Sequence, residues 1–244
     1  MGEGKLKIDK GYNYIKRLEK IEIAENFAKL DLSKNCKNSL YDVKLGPMQE
    51  KGAEIADNSI DLILTDPPYN EASIPLYGEL AKLAQRVLKP GGSLIAIIGH
   101  YALFKIGNQI TDNSELEYHW QLVLKHNGHT AKMWKQRVWP KYKPMLWFFK
   151  RSGNGNGQGP TMYSDMEDLI ESQPVDKTMH QWEQSTIEAE HIIKPLTVEG
   201  QIVLDPFMGY GTNGLAALEL KRRFIGIEID KEHYCRASQR LSNF

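Results

Sequence analysis

The feature that most limits the fold is an apolar strand that stops on prolines. Residues 60–65 (IDLILT) are a dense apolar run of the kind expected for a strand covered on both faces. The run ends at Asp66-Pro67-Pro68, because proline cannot donate to a ladder and forces its predecessor into extended geometry. A helical period follows over 75–88, stopped by Lys89-Pro90-Gly91-Gly92, and residues 93–98 are the next buried strand. Strand, helix and strand in that order predict a right-handed parallel crossover.

The same alternation runs through the rest of the chain. Strands are expected at 39–45, 117–125, 145–150, 201–204 and 224–229, and helices at 103–110, 187–193, 212–220 and 231–241. Repeated alternation of this kind means an α/β, doubly wound sheet with helices on both faces. The 244 residues suffice for one such domain and leave little room for a second. Residues 1–38 are read as an N-terminal extension whose spacing over 11–32 predicts an amphipathic helix. The run GNGNGQG at 153–159 has no strand directly before it and no helix directly after it. A phosphate-cradling loop needs both, so the run is read as part of a flexible linker at 151–180.

Two constellations carry chemistry. The first is DPPYN, residues 66–70, at the carboxyl end of the most apolar strand, where open parallel sheets bind their ligands. An amino nitrogen conjugated to an aromatic ring is a poor nucleophile, so a catalyst must give its hydrogens acceptors. The Asp66 carboxylate and the Pro67 carbonyl, aimed by Pro68, supply them. The nitrogen then pyramidalises toward a methyl donor. Tyr69 offers a face on which an extruded base stacks, worth roughly 1 to 3 kcal/mol against an unstacking cost of a few kcal/mol.

The second is VLDPFMGYGT, residues 203–212, a strand feeding a glycine-rich turn and a helix. Gly209 and Gly211 let the backbone approach a ligand closely, and the helix N-terminus presents amide donors to a carboxylate. The strand after that helix ends at Glu228, where an acid accepts hydrogen bonds from ribose hydroxyls.

DPPYN followed by DPFMGYGT resembles the amino-methyltransferases of DNA in their permuted β class, in which the base-binding motif precedes the cofactor motif. The resemblance extends from about Asp42 to Leu241. It implies a Rossmann-like, circularly permuted methyltransferase sheet of seven strands in spatial order 3-2-1-4-5-7-6, with strand 7 antiparallel. In chain order the strands that begin near Ser39, Ile60, Ser93, Glu117, Met145, Gln201 and Phe224 become strands 3, 4, 5, 6, 7, 1 and 2. It also implies S-adenosyl-L-methionine as cofactor. Asp66, Pro67, Pro68 and Tyr69 match the catalytic loop, and Asp205, Phe207, Gly209, Gly211 and Thr212 match the methionine-binding turn. Glu228 matches the ribose acid, with Ile229 against the adenine. His180, Gln184 and Ser185 resemble, more loosely, the segment before the cofactor motif that contacts the donor's carboxylate end. Asp42 is a candidate for the acid that ends strand 3. The chain departs from the commonest turn at Tyr210, where serine is usual, and at Asn213, where threonine is frequent.

Family members with Asp before Pro-Pro-Tyr resemble adenine N6 enzymes more often, and those with Ser resemble cytosine N4 enzymes. Adenine N6 in DNA is therefore the expected target. Cytosine N4, structured RNA and a non-catalytic partner subunit stay open as alternatives, and the resemblance leans toward a dimer. The 31 basic and 31 acidic residues cancel, so a polyanion must be met by local segregation of charge. Such a stretch exists, since no Asp or Glu lies between Glu117 and Asp165. Within it, the basic and aromatic insertion 126–143 offers Lys132, Lys135, Arg137, Lys141 and Lys143 to phosphates, and Trp134, Trp139 or Tyr142 to the gap left by an extruded base. His126 and His129 lie among seven scattered histidines with no Cys cluster, so no metal is expected. Two distant cysteines and the absence of a long apolar run fit a reducing cytoplasm and no membrane span.

Overall fold

The computed structural model describes residues 36–125, 132–152, 159–171 and 186–244. The expected N-terminal helix, the glycine run except Gly159, and His126, His129, His180, Gln184 and Ser185 lie outside the described residues. The strands are β1 (Cys36–Lys37), β2 (Tyr41–Leu45), β3 (Ile60–Thr65), β4 (Leu88–Ile97), β5 (Glu117–Lys125), β6 (Tyr142–Phe149), β7 (Leu169–Glu171), β8 (Ile202–Asp205) and β9 (Arg223–Glu228). The helices are α1 (Met48–Gly52), α2 (Ile74–Val87), α3 (Leu103–Asp112), α4 (Ile187–Leu196), α5 (Thr212–Glu219) and α6 (Lys231–Leu241).

All nine strands form one sheet in the order β1-β2-β9-β8-β3-β4-β6-β5-β7. Without the two edge strands this is the order 3-2-1-4-5-7-6 that the resemblance implies. β2, β9, β8, β3 and β4 run parallel, and β6 pairs antiparallel with both β4 and β5. Every residue of β3 is buried, as a central strand between two helical layers requires. On one face Ile60, Ile63 and Leu94 pack with Leu80, Ala84 and Val87, which recur along α2 at helical spacing. α5 and α6 pack on the half of the sheet built from β2, β9 and β8, and α4 packs on α5, β3 and β7.

Two expectations about boundaries are corrected. Lys89-Pro90-Gly91-Gly92 ends α2, as its turn residues predict, yet it lies inside β4, which starts at Leu88. The ladder with β3 shifts register there, Ile60 opposite Leu88 and Leu62 opposite Ser93. Gly91 takes φ +83°, and its amide donates to the Lys150 carbonyl at 2.7 Å, so the irregularity is paired and not a free turn. The segment 151–180 is likewise not wholly a linker: β7 adds to β5 in parallel, anchored by the Val123 amide on the Asp168 carbonyl at 2.8 Å. Among the described residues no helix is long and apolar enough to cross a membrane.

Candidate functional site

β3 and β8 are direct neighbours, Leu62 opposite Val203 and Ile63 opposite Leu204, so their carboxyl ends open side by side. One end carries Asp66 and the other the turn after Asp205. The two are joined by side chains. The Thr65 hydroxyl donates to Asp205 Oδ1 at 2.7 Å, and Asn213 Nδ2 donates to Asp205 Oδ2 at 2.8 Å and to the Leu64 carbonyl at 3.2 Å. The Phe207 amide adds a further bond to Asp205 Oδ1 at 3.1 Å. Asp205 is only 2% exposed, and its carboxyl is pushed up to about 7. Burial is the main cause and the charge of Asp66 adds to it, while the donations from Thr65, Phe207 and Asn213 oppose it.

The DPPYN loop after β3 is more open. Pro67 is buried, Tyr69 is half-buried, and Asp66 and Pro68 are exposed. The Tyr69 hydroxyl donates to Asp66 Oδ1, and the Tyr101 hydroxyl donates to the Tyr69 carbonyl. Burial, then the charge of Asp66 and the hydrogen bond to it, push the Tyr69 phenol up, so it stays a donor. Lys143 Nζ lies 3.3 Å from Asp66 Oδ2 and 5.2 Å from the centre of the Tyr69 ring. His100 Nε2, 2.6 Å from the Tyr142 carbonyl, helps hold the start of β6 against this edge.

In the turn after β8 Gly209 and Gly211 take φ +52° and +76°, the left-handed region that glycine adopts without strain. A Cβ on Gly209 would meet nothing within 4 Å, so the backbone there faces open space. Glu228 ends β9 and accepts the Gly209 amide on Oε2 and the Asp230 amide on Oε1, each at 2.8 Å. Beside it Ile229 is 69% exposed, although aliphatic. Arg240 of α6 reaches the turn from behind, donating to the Tyr210 carbonyl at 2.6 Å and to Thr212 Oγ1 at 3.4 Å. The Tyr210 ring rests 4.6 Å from that of His233, with the Arg236 guanidinium 5.4 Å away.

Other candidates separate from this cluster. Asp42 sits at the second position of β2, facing Ile225 in the ladder, and its carboxylate is 3.3 Å from Lys44 Nζ. It is near the amino end of its strand, so the expectation that it ends strand 3 is corrected. Lys135 and Arg137 lie in the turn of a small hairpin closed by Met133 and Val138, with Lys132 just before it and Lys141 after it in the chain. Trp134 at its tip is 77% exposed, with Lys132 Nζ 4.5 Å over its ring. Arg137 takes φ +59° in that turn. A cavity of about 610 Å³ lies elsewhere, lined by His119, Trp120, Trp147 and Met162, three strands from β3, and takes no part in the site. No group of three or more metal-binding side chains occurs among the described residues.

Sequence reasoning singled out the loop and the turn, because their residue types state their chemistry. It missed Thr65, Tyr101 and Arg240. The first two carry no motif signal, and Arg240 reads as an ordinary solvated helix residue.

Comparison with known proteins gives the same grouping. The family described as DNA methylase, of the N6/N4 class, matches residues 60–240. The chain is 29% identical to the type II methyltransferase M.BglII of Bacillus subtilis, over 78% of this chain and 65% of that protein, so it spans a little under two thirds of that relative. Among solved structures it is similar to M1.HpyAVI in complex with SAM, with 26% identity, 83% of this chain and 99% of that chain covered, and a TM-score of 0.64. The PvuII DNA methyltransferase, titled cytosine-N4-specific, shares the fold at 18% identity and a TM-score of 0.71, covering 86% of this chain and 93% of that one. With the paired motifs, the strand order and a family match over most of its length, the chain belongs to the N6/N4 DNA methylase family.

Proposed function

We propose that this protein transfers the methyl group of S-adenosyl-L-methionine to the N6 amino group of an adenine extruded from DNA. The observation that carries the reading is the junction of Thr65, Asp205 and Asn213, which holds the DPPY loop against the glycine turn. The turn suits that donor: open space over Gly209, a carboxylate at Glu228 for ribose hydroxyls and a bare aliphatic at Ile229 for adenine lie together. Phe207, Gly211 and Thr212 complete it, and Gln184 and Ser185 are assigned with them from the resemblance. When bound, the donor supplies a methyl activated by its sulfonium.

The chain's own residues do the rest. Asp66 and the Pro67 carbonyl take the two amino hydrogens, which turns the nitrogen lone pair out of the ring plane. In the transfer the N–C bond would form as the methyl–sulfur bond of the donor breaks, the electron pair staying on the sulfur, and the nitrogen would shed one proton for Asp66 Oδ2 to receive and pass to water. Tyr69 stacks on the base and, through its hydroxyl, orients Asp66 Oδ1. Lys143 already touches Asp66 Oδ2, so the incoming amine competes with an ammonium for that oxygen; in a half-exposed pair this costs at most about 1 kcal/mol. Lys132, Lys135, Arg137 and Lys141 are assigned to phosphates and Trp134 or Trp139 to the vacated gap.

Cytosine N4 is the second reading, favoured by the fold shared with the PvuII enzyme. Incubation with methyl-labelled donor and duplex DNA, followed by nucleoside analysis, tests both. Label in N6-methyl-2'-deoxyadenosine is expected. Label in N4-methyl-2'-deoxycytidine selects the second reading, and label only in RNA or protein removes both.

A further inference from the structure

We propose that Asn213 is a positioning residue that fixes the donor-binding turn to the base-holding loop and so sets their alignment. The proposal rests on the assignment of Asp66 to the target amine and goes beyond it. Asn213 is the second residue of α5, directly after the glycine turn. Its amide nitrogen has two hydrogens, and both are used, one on Asp205 Oδ2 and one on the carbonyl of Leu64, two positions before Asp66. Asp205 thereby becomes a buried junction with one donor from β3, one from its own turn and one from α5. The first and last of these bonds join residues 140 and 8 positions apart, and the bond to Leu64 spans 149. A threonine here, the residue the family resemblance leads one to expect, has a single hydroxyl hydrogen and serves only one of the two acceptors at a time.

The consequence separates alignment from affinity. The shape of the turn is held independently of Asn213, by Phe207 on Asp205, by Gly209 on Glu228 and by Arg240 on Tyr210. Removing the Asn213 amide leaves those bonds in place, so donor affinity survives. It takes that donor from the Leu64 carbonyl and leaves Thr65 as the side-chain bond from the end of β3 to Asp205, so the attacking nitrogen loses its fixed approach. Reacting atoms tolerate little misplacement, and a shift of about 1 Å can cost about a hundredfold in rate.

The test is donor calorimetry and steady-state methylation of duplex DNA by the wild type, Asn213→Ala and Asn213→Thr. Asn213→Ala should lower kcat at least about tenfold and leave donor Kd within about threefold, with Asn213→Thr between it and the wild type. General slackening of the fold would lower kcat and donor affinity together, whereas lost alignment lowers kcat alone. Should Asn213→Ala fail to fold, Asn213→Thr carries the same comparison. An unchanged kcat, or equal losses in kcat and donor affinity, overturns the proposal. If the wild type itself transfers no methyl to DNA, the functional reading fails and this proposal falls with it; if it does and the variants match it, the proposal alone fails.

Discussion

Asp66 and Asp205 each precede a proline at the end of a buried parallel strand, and their surroundings give them opposite tasks. The Asp66 side chain is 38% exposed and meets Tyr69 and Lys143 at the mouth of the site. Asp205 is buried and satisfied from three sides by protein donors. The sequence shows two similar motifs, but which carboxylate is buried depends on partners about 140 positions away, which no local pattern encodes. The junction has a measurable signature. An unfolded Asp titrates near 3.9, and Asp205 does so at about 7 in the fold. Between about pH 4 and 7 the native state therefore holds a proton that the unfolded chain has released, so this group's contribution to stability falls as pH rises through that window. Urea melts of wild type and Asp205→Asn across that range should show the wild type losing ground to the variant with rising pH, on top of a constant penalty for the lost acceptor. A difference that does not vary with pH would contradict the buried, protonatable Asp205.

At the level of elements, reading was sharpest where residue type and period agree. β3, β5 and α6 occupy the residues their apolar spacing predicts. It failed where a tertiary partner overrules a local signal: Pro90, Gly91 and Gly92 announce a turn, but the Lys150 backbone pairs with Gly91 and Gly92 and extends β4. β7 is three residues long, too short for any period, and exists because β5 offers it an edge. α6 works at a distance on the donor turn. The Asp230 carboxylate caps its first turn by accepting the His233 amide at 3.0 Å, and Arg240 in its last turn holds the Tyr210 carbonyl. Asp230→Ala should cost about 1 kcal/mol in stability, and Arg240→Ala should weaken donor binding with little change in melting temperature, read by thermal melts and calorimetry. The hairpin gives a contrasting case. Arg137 sits in a conformation glycine prefers, so Arg137→Gly should stabilise the fold by up to about 1 kcal/mol while lowering DNA affinity in a binding titration. Unchanged DNA affinity would mean that the arginine is kept for another reason.

For the whole molecule, the permuted order of motifs is reconciled by the sheet, since β3 and β8, far apart in the chain, lie adjacent and carry both motifs at their carboxyl ends. Equal numbers of acidic and basic residues leave attraction to DNA to local segregation of charge, and the hairpin is the surface proposed for it. Replacing Lys135 and Arg137 together with alanine should reduce the slope of log affinity against log salt by about two, and a slope that stays put would remove that face from the phosphate contacts. The central claim is that two loops form one site with divided labour, and it is tested most directly by measuring donor affinity and turnover in parallel for Asp66→Ala, Gly209→Val and Glu228→Ala. Turnover should vanish in Asp66→Ala with donor Kd near that of the wild type, while Gly209→Val and Glu228→Ala should weaken donor binding first. Equal donor affinity in all three, or full turnover in Asp66→Ala, would contradict the account.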